Sequence, residues 1–363
     1  MEFTNDILKR MDIKKKAYNI EYSKWYYSMS LKYIENVTKY ENRSERIANC
    51  MNLWEWDKYE KNKILDLQRV NRCSNNRFCP NCKLLDISKF IHSFRNIYEN
   101  LCLQGYKAYM LTLTIPSVAG ENLSDTISLL NKKFLKFMQK FSYSDNDKRS
   151  FSDRLIKIDG GIKVLEITYN KLQGFHPHFH CIVFVKNDID DFLLKKRIKG
   201  KYSNKLKKYH YKSYIDLQLA KIWSMIWYDE RLTIKNYESI DFNLSQEYFK
   251  KNKKVLEVDF RSLDESGIYE VFKYTFKDTD IENYYVFETL VKSLENKRIR
   301  QGFGILYNFK CEDIEDGEIQ SLELEVDENP VHLLTYEINE LISTYKDYKK
   351  ISRFNKKIDE NII

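Results

Sequence analysis

Four prolines and ten glycines in 363 residues are too few for a loop-rich or low-complexity chain. No stretch approaches 18 uncharged apolar residues, which excludes a helical membrane span. The opening "MEFTNDILKRMDIKKK" lacks the apolar core of a secretory leader, so a cytoplasmic protein is expected. Seven cysteines in a reducing compartment do not make a disulfide framework; they point to metal binding or to buried thiols. Charge is extreme in neither direction: 61 Lys and Arg against 53 Asp and Glu give +8, so its distribution matters more than its sum. Histidine is scarce, with six in the chain. What is plentiful is apolar and aromatic, 43% hydrophobic with 27 Tyr and 21 Phe, enough to fold and bury a sizeable core.

The first hundred residues read as helical, with apolar spacings of three and four in "IEYSKWYYSMSLKYIENVTKY". "YKAYMLTLTIP" alternates and ends in Pro, as a strand does, and a helix is expected over 123–141. "GIKVLEITY" and "FHCIVFVK" are strand-like and joined by "NKLQGFHP", a connection short enough for an antiparallel pair. Helical spacing returns in "LQLAKIWSMIWYDE", strand pattern in "KKVLEVDF" and helix in "GIYEVFKYTFK". The segment after Cys311 carries nine acids and no base, the pattern of a surface segment leading to a short C-terminal helix. Alternating elements with antiparallel pairing predict an α+β fold, an antiparallel sheet flanked by helices. The expected divisions are a helical N-terminal region over 1–104, a central domain over 105–310, and an acidic segment with a helix over 311–363.

Half of the scarce histidines stand in "HPHFH", at 176, 178 and 180. On a strand, alternate residues share a face, so His178 and His180 lie about 7 Å apart and can converge on one divalent ion. Val164, Glu166 and Thr168 share a face of the preceding strand, and if the two strands pair, Glu166 completes the set. Two nitrogens and one oxygen leave coordination positions open for substrate oxygens. His176 has the same parity but precedes Pro177, which suggests a loop position and a weaker ligand. The bland alternative is a packed or surface histidine pair.

"CSNNRFCPNC" supplies Cys73 and the C-x2-C pair Cys79 and Cys82, with Cys50 upstream as a fourth thiolate for a structural Zn²⁺; the alternative is reduced, buried cysteines. In "SGIYEVFKYTFKD", Glu270 and Tyr274 are i and i+4 on a helix, with Lys277 one turn later. A phenol with an ordinary pKa near 10 needs a neighbouring cation or metal to act as a nucleophile; otherwise it is one more aromatic on an amphipathic helix. Between Lys195 and Lys212 there are nine Lys or Arg and no acid, a run suited to a phosphate backbone, or else a solvated loop.

Taken in chain order, "CSNNRFCPNC", "YMLTLTIP", "VLEITYN" leading to "HPHFHCIVF", "IWSMIWYDE" and "YEVFKYTFK" resemble the rolling-circle replication initiator proteins of small bacterial plasmids. These belong to the HUH (His-hydrophobic-His) endonucleases, and the likeness runs from about Cys50 to Gly304. It implies an origin-specific nickase in which His178 and His180 hold Mg²⁺ or Mn²⁺, Tyr274 forms a 5′-phosphotyrosine and frees a 3′-hydroxyl, and Glu270 handles the closing hydrolysis. Lys277 matches the family's lysine after the tyrosine; Glu166 as a third ligand comes from strand parity alone. The implied partners are origin DNA, a host helicase and a host DNA polymerase, with a homodimer left open and no membrane. Rival readings are a relaxase or single-strand transposase of the same chemistry, or a non-catalytic zinc-dependent DNA-binding protein. Relaxases typically place their tyrosine before the histidines, whereas Tyr274 follows them.

Overall fold

A computed structural model describes residues 2–3, 5–142, 151, 155–186, 189, 191–203, 208–239, 255–263, 268, 271–272, 281–309 and 329–352. From the N-terminus the elements are β1 (Glu2–Phe3), α1 (Asn5–Lys32), α2 (Val37–Ala48), β2 (Trp54–Tyr59), β3 (Ile64–Val70), α3 (Pro80–Leu103) and β4 (Lys107–Thr114). There follow α4 (Leu123–Met138), β5 (Gly160–Asn170), β6 (Gly174–Val185), α5 (Asp191–Lys195), β7 (Arg197–Ser203), β8 (Lys208–Ser213), α6 (Tyr214–Trp227) and α7 (Ile234–Ser239). The last are β9 (Val258–Ser262), α8 (Tyr284–Ser293), β10 (Arg300–Gly304), β11 (Val331–Thr335), α9 (Ile338–Thr344) and β12 (Lys349–Ser352). The chain divides into two compact units, one of residues up to Asn96 with those from Cys311, the other Ile97–Lys310. The mixed α+β class with antiparallel sheets flanked by helices is as expected.

The first unit holds a five-stranded sheet in the order β1-β12-β3-β2-β11. Helical spacing in the first hundred residues is real for α1 and α2, but "WEWDKY" and "ILDLQRV" form the antiparallel pair β2–β3. Alternation decides it: Trp54, Trp56, Leu65 and Leu67 are buried, and the two indoles stack 6.3 Å apart. Close approach of α1 to α2 is allowed by serines: Ser23 Oγ donates to the Ser44 carbonyl at 3.0 Å, and Ser44 Oγ to that of Ser23 at 2.8 Å. The acidic run leads on to β11, α9 and β12, which return strands to this sheet beside the helix expected there.

The second unit is built on an antiparallel sheet in the order β10-β5-β6-β4-β9. Alternation sorts its two faces. Phe179 of β6 and Phe303 of β10 each meet Phe134 of α4 at 5.3 Å between ring centroids, so these odd positions face the helices. Trp223 of α6 packs edge-on against Phe137 and donates its indole N–H to the Thr114 carbonyl at 2.7 Å, fixing α6 at the end of β4. His178, His180 and Phe184 lie on the opposite face, where Tyr98 from the end of α3 meets Phe184 at 6.3 Å. One end of that face is therefore covered, while the histidine end is partly open.

The β5–β6 hairpin that carries the histidines has a stiff tip. Asn170 Oδ1 accepts from the backbone N–H of Leu172 at 2.9 Å, and Gly174 adopts φ +83, which a side chain would strain. Phe175 exchanges backbone hydrogen bonds with Val118 at 2.7 and 2.8 Å, holding the hairpin against the loop after β4.

Candidate functional site and cysteine cluster

Strand pairing places Glu166 directly opposite His178, and Val164 opposite His180. Thr112 on the other flank lies opposite His180. One ligand atom each from Glu166, His178 and His180 falls within 4.8 Å of the others, an arrangement able to hold a metal ion. Both imidazoles aim Nε2 at the same carboxylate oxygen: His180 at 2.7 Å and His178 at 3.3 Å from Glu166 Oε2. Their other nitrogens are occupied. His178 Nδ1 lies 3.1 Å from the His176 carbonyl, which can only accept, so Nδ1 carries a proton. His180 Nδ1 lies 3.0 Å from Thr112 Oγ1, and the same assignment follows if that hydroxyl accepts. This anchoring through the far nitrogen is how ligating histidines are oriented in general.

Burial alone would push the Glu166 carboxyl up, but hydrogen bonds and charge from His178 and His180 outweigh it and hold it at about 2. The carboxylate is thus ionised at neutral pH, as a ligand must be. Side-chain exposures of 18% for Glu166, 18% for His180 and 10% for His178 leave the group reachable from one side.

His176 belongs to β6 and not to the loop, and its ring stacks on that of His178 at 5.2 Å. It stands outside the group of converging ligand atoms. Pro177 is tolerated in the strand because β4 ends opposite His178, leaving no β4 neighbour to receive an N–H on that side. Thr112 is the residue that sequence pattern missed; in "YMLTLTIP" it is an ordinary alternating threonine, and only the β4–β6 register brings it to His180. Tyr274, Glu270 and Lys277 lie outside the described residues; nearby Ile268, Val271 and Phe272 are helical and buried.

The second group lies in the first unit. Cys50 follows α2, Cys73 follows β3, Cys79 precedes α3 and Cys82 sits in its first turn. The four sulfurs lie within 4.8 Å of one another, with Cys79–Cys50 at 3.4 Å, Cys73–Cys82 at 3.6 Å and Cys50–Cys82 at 3.7 Å, all four residues buried and none disulfide-bonded. Ser74 at φ +54 lets the chain turn back after Cys73, and the Asn75 N–H points at Cys73 Sγ at 3.4 Å. Hydrogen bonds from Cys50, Cys73 and Cys82 push the Cys79 thiol up, while hydrogen bonds from Cys50, Cys73 and Cys79 pull Cys82 down. A cation in the middle favours four thiolates. Both groups can hold metals.

Within the basic stretch, β7 and β8 form a two-stranded antiparallel ribbon where a loop is the expectation. No helix among the described residues is long and apolar enough to cross a membrane. The family described as replication protein (Rep_1) matches the chain over residues 64–350, a span that includes every residue of the two groups except Cys50. A "Protein rep" of Bacillus amyloliquefaciens is 26% identical over 306 residues, covering 80% of this chain and 79% of its own. One of a Bacillus species is 24% identical over 296 residues, 77% of this chain and 85% of its own. One of Staphylococcus aureus is 32% identical over 150 residues, 40% of this chain and 59% of its own. No solved structure matches.

Proposed function

Because the chain belongs to the replication protein family of plasmid replication initiators, we propose that it opens rolling-circle replication by nicking one strand of its plasmid origin through a covalent tyrosine intermediate. The observation that carries this reading is the convergence of Glu166, His178 and His180 on one open-sided point of a rigid sheet. Mg²⁺ or Mn²⁺ bound there would polarise a phosphodiester and neutralise charge developing on it. Glu166, His178 and His180 hold that position, and the His176 carbonyl and Thr112 hold the imidazoles.

Tyr274 is the nucleophile in this reading. Its phenolate oxygen attacks the scissile phosphorus in line; the bond to the 3′ oxygen breaks, leaving a free 3′-hydroxyl and a 5′-phosphotyrosine. Lys277 steadies the phosphate. Since one phosphoester replaces another, rejoining needs no nucleotide cofactor. At termination Glu270 takes a proton from water, which then hydrolyses the closing linkage. The cysteine group suits a structural Zn²⁺: at about 2.3 Å per Zn–S bond, tetrahedral sulfurs stand about 3.8 Å apart, close to the spacings of 3.4 to 3.7 Å found here. Host helicase and polymerase would then take over the freed 3′ end.

The test is a labelled single-stranded oligonucleotide carrying the origin nick site, incubated with protein and Mn²⁺. A denaturation-resistant protein–DNA adduct is expected, mapping to Tyr274 and absent from Tyr274→Phe. Cleavage unchanged by that substitution overturns the assignment.

A further inference from the structure

The nine basic residues between Lys195 and Lys212 outweigh the charge of the whole molecule. Without them the chain has 52 bases against 53 acids, a net −1, so the positive excess of +8 resides entirely in this stretch. Charge so concentrated creates a local field that attracts anionic partners.

Within the stretch, β7 and β8 form a two-stranded antiparallel ribbon, a sheet of its own. A lone two-stranded ribbon is marginal in water, and this one would be worse if bases stood opposite bases. They do not: the register pairs Arg197 with Ser213, Ile198 with Lys212, Lys199 with Tyr211, Tyr202 with Tyr209 and Ser203 with Lys208, at most one base in each. No paired position in this register thus sets one basic residue directly opposite another.

The base of the ribbon is tied to the sheet that carries the histidines. Tyr214 N–H donates to the Lys196 carbonyl at 2.9 Å, closing the ribbon's foot. Ser213, the last residue of β8, caps α6, and buried Asp216 accepts from the Ser213 N–H at 2.8 Å and from the Phe260 N–H of β9 at 2.7 Å. Lys212 Nζ reaches the Val258 carbonyl, also on β9, at 3.3 Å. Strand β9 is the edge of the sheet, two strands from His180.

We propose that the β7–β8 ribbon is a duplex-DNA-binding arm that grips double-stranded DNA beside the nick site and holds it to the nicking sheet. A two-stranded ribbon fits the major groove, about 12 Å wide, and bases along both strands meet phosphates on both groove walls. Duplex DNA also offers one negative charge per about 1.7 Å of axis, against which such a run gains most from counterion release. The identity of the DNA as a plasmid origin rests on the nicking reading; the affinity for duplex does not.

The experiment compares the full-length protein with the triple variant Lys199→Gln, Lys201→Gln, Lys208→Gln by fluorescence anisotropy. The probes are a mixed-sequence duplex of about 30 base pairs and an oligo-dT strand of about the same length, over a salt series. Thermal melting of both proteins checks that the variant is folded. The expected result is a duplex affinity at least about tenfold weaker and a log–log salt slope smaller by about 2 to 3, with oligo-dT affinity changed less than about twofold. Equal losses on both probes make the ribbon a single-strand groove, and no loss on either makes it a solvated hairpin; each outcome overturns the proposal. A protein that forms no tyrosine adduct yet shows the duplex-selective loss would sink the nicking reading and leave the arm standing.

Discussion

The two metal-capable groups are built in opposite ways. The cysteine cluster gathers four ligands from the end of α2, the end of β3 and the start of α3, all buried, and it leaves no position for a substrate. The Glu166, His178 and His180 group takes three ligands from a single hairpin, is exposed on one side, and has each imidazole pinned through its far nitrogen. Four closed ligands tie together three separate places in the chain, so an ion there contributes to folding. Three ligands on strands already paired in a sheet add little to the fold, and their open side is where chemistry can occur. Stability should therefore depend on the first group and activity on the second.

The largest effect that can break this contrast is at Cys79. Cys79→Ser should lower bound zinc from about one per chain to nearly none and unfold the first unit, since zinc binding in small domains amounts to about 10–16 kcal/mol. Elemental analysis and melting curves read both, and a variant that loses its zinc yet melts normally would reduce the cluster to packing.

At the other group the signs reverse. His180→Ala should leave melting almost unmoved while cutting Mn²⁺-dependent nicking by on the order of a thousandfold, since several kcal/mol of charge stabilisation are lost. Thr112→Val sharpens the point, because it touches only the Nδ1 side of His180. It should raise the Mn²⁺ concentration needed for half-maximal rate by about 10–100-fold, with the maximal rate largely recovered at saturating metal, and Thr112→Ser should restore the original value. Equal loss in Val and Ser variants would mean that the fit of the whole side chain, and not the hydroxyl alone, matters there.

Much of this contrast is legible in the chain, and the reason is local periodicity. The β5–β6 pair, the shared face of Glu166, His178 and His180, and the C-x2-C pair all follow from short-range spacing, which backbone geometry converts directly into proximity. Thr112 does not, because its meeting with His180 depends on the register between strands 68 residues apart. Nor do β11 and β12, which reach the first unit's sheet across more than two hundred residues of intervening chain. Pro177 suggests a loop at His176, but the end of β4 makes a proline acceptable within the strand, so His176 falls in β6.

The smallest expected effect lies on the opposite face of the same hairpin. Lys163 is 4% exposed, paired in register with Cys181, with its Nζ 2.6 Å from Asn131 Oδ1 and over the rings of Phe134 and Phe179 at 4.6 and 4.8 Å. Burial pulls its pKa down from 10.5 to about 8, and among the described residues no carboxylate there offsets the lost hydration as the histidines do for Glu166. Between about pH 8 and 10.5 the unfolded chain binds the proton that the folded chain has released, so stability due to this group rises with pH across that window and is flat below it. Lys163→Met should remove that rise, so the stability difference between wild type and variant should narrow in the variant's disfavour by on the order of 1 kcal/mol from pH 7.5 to 9.5 in denaturant titrations. A difference constant over that range would mean that Lys163 keeps its ordinary pKa, and that this face, like the histidine face, compensates its buried charge.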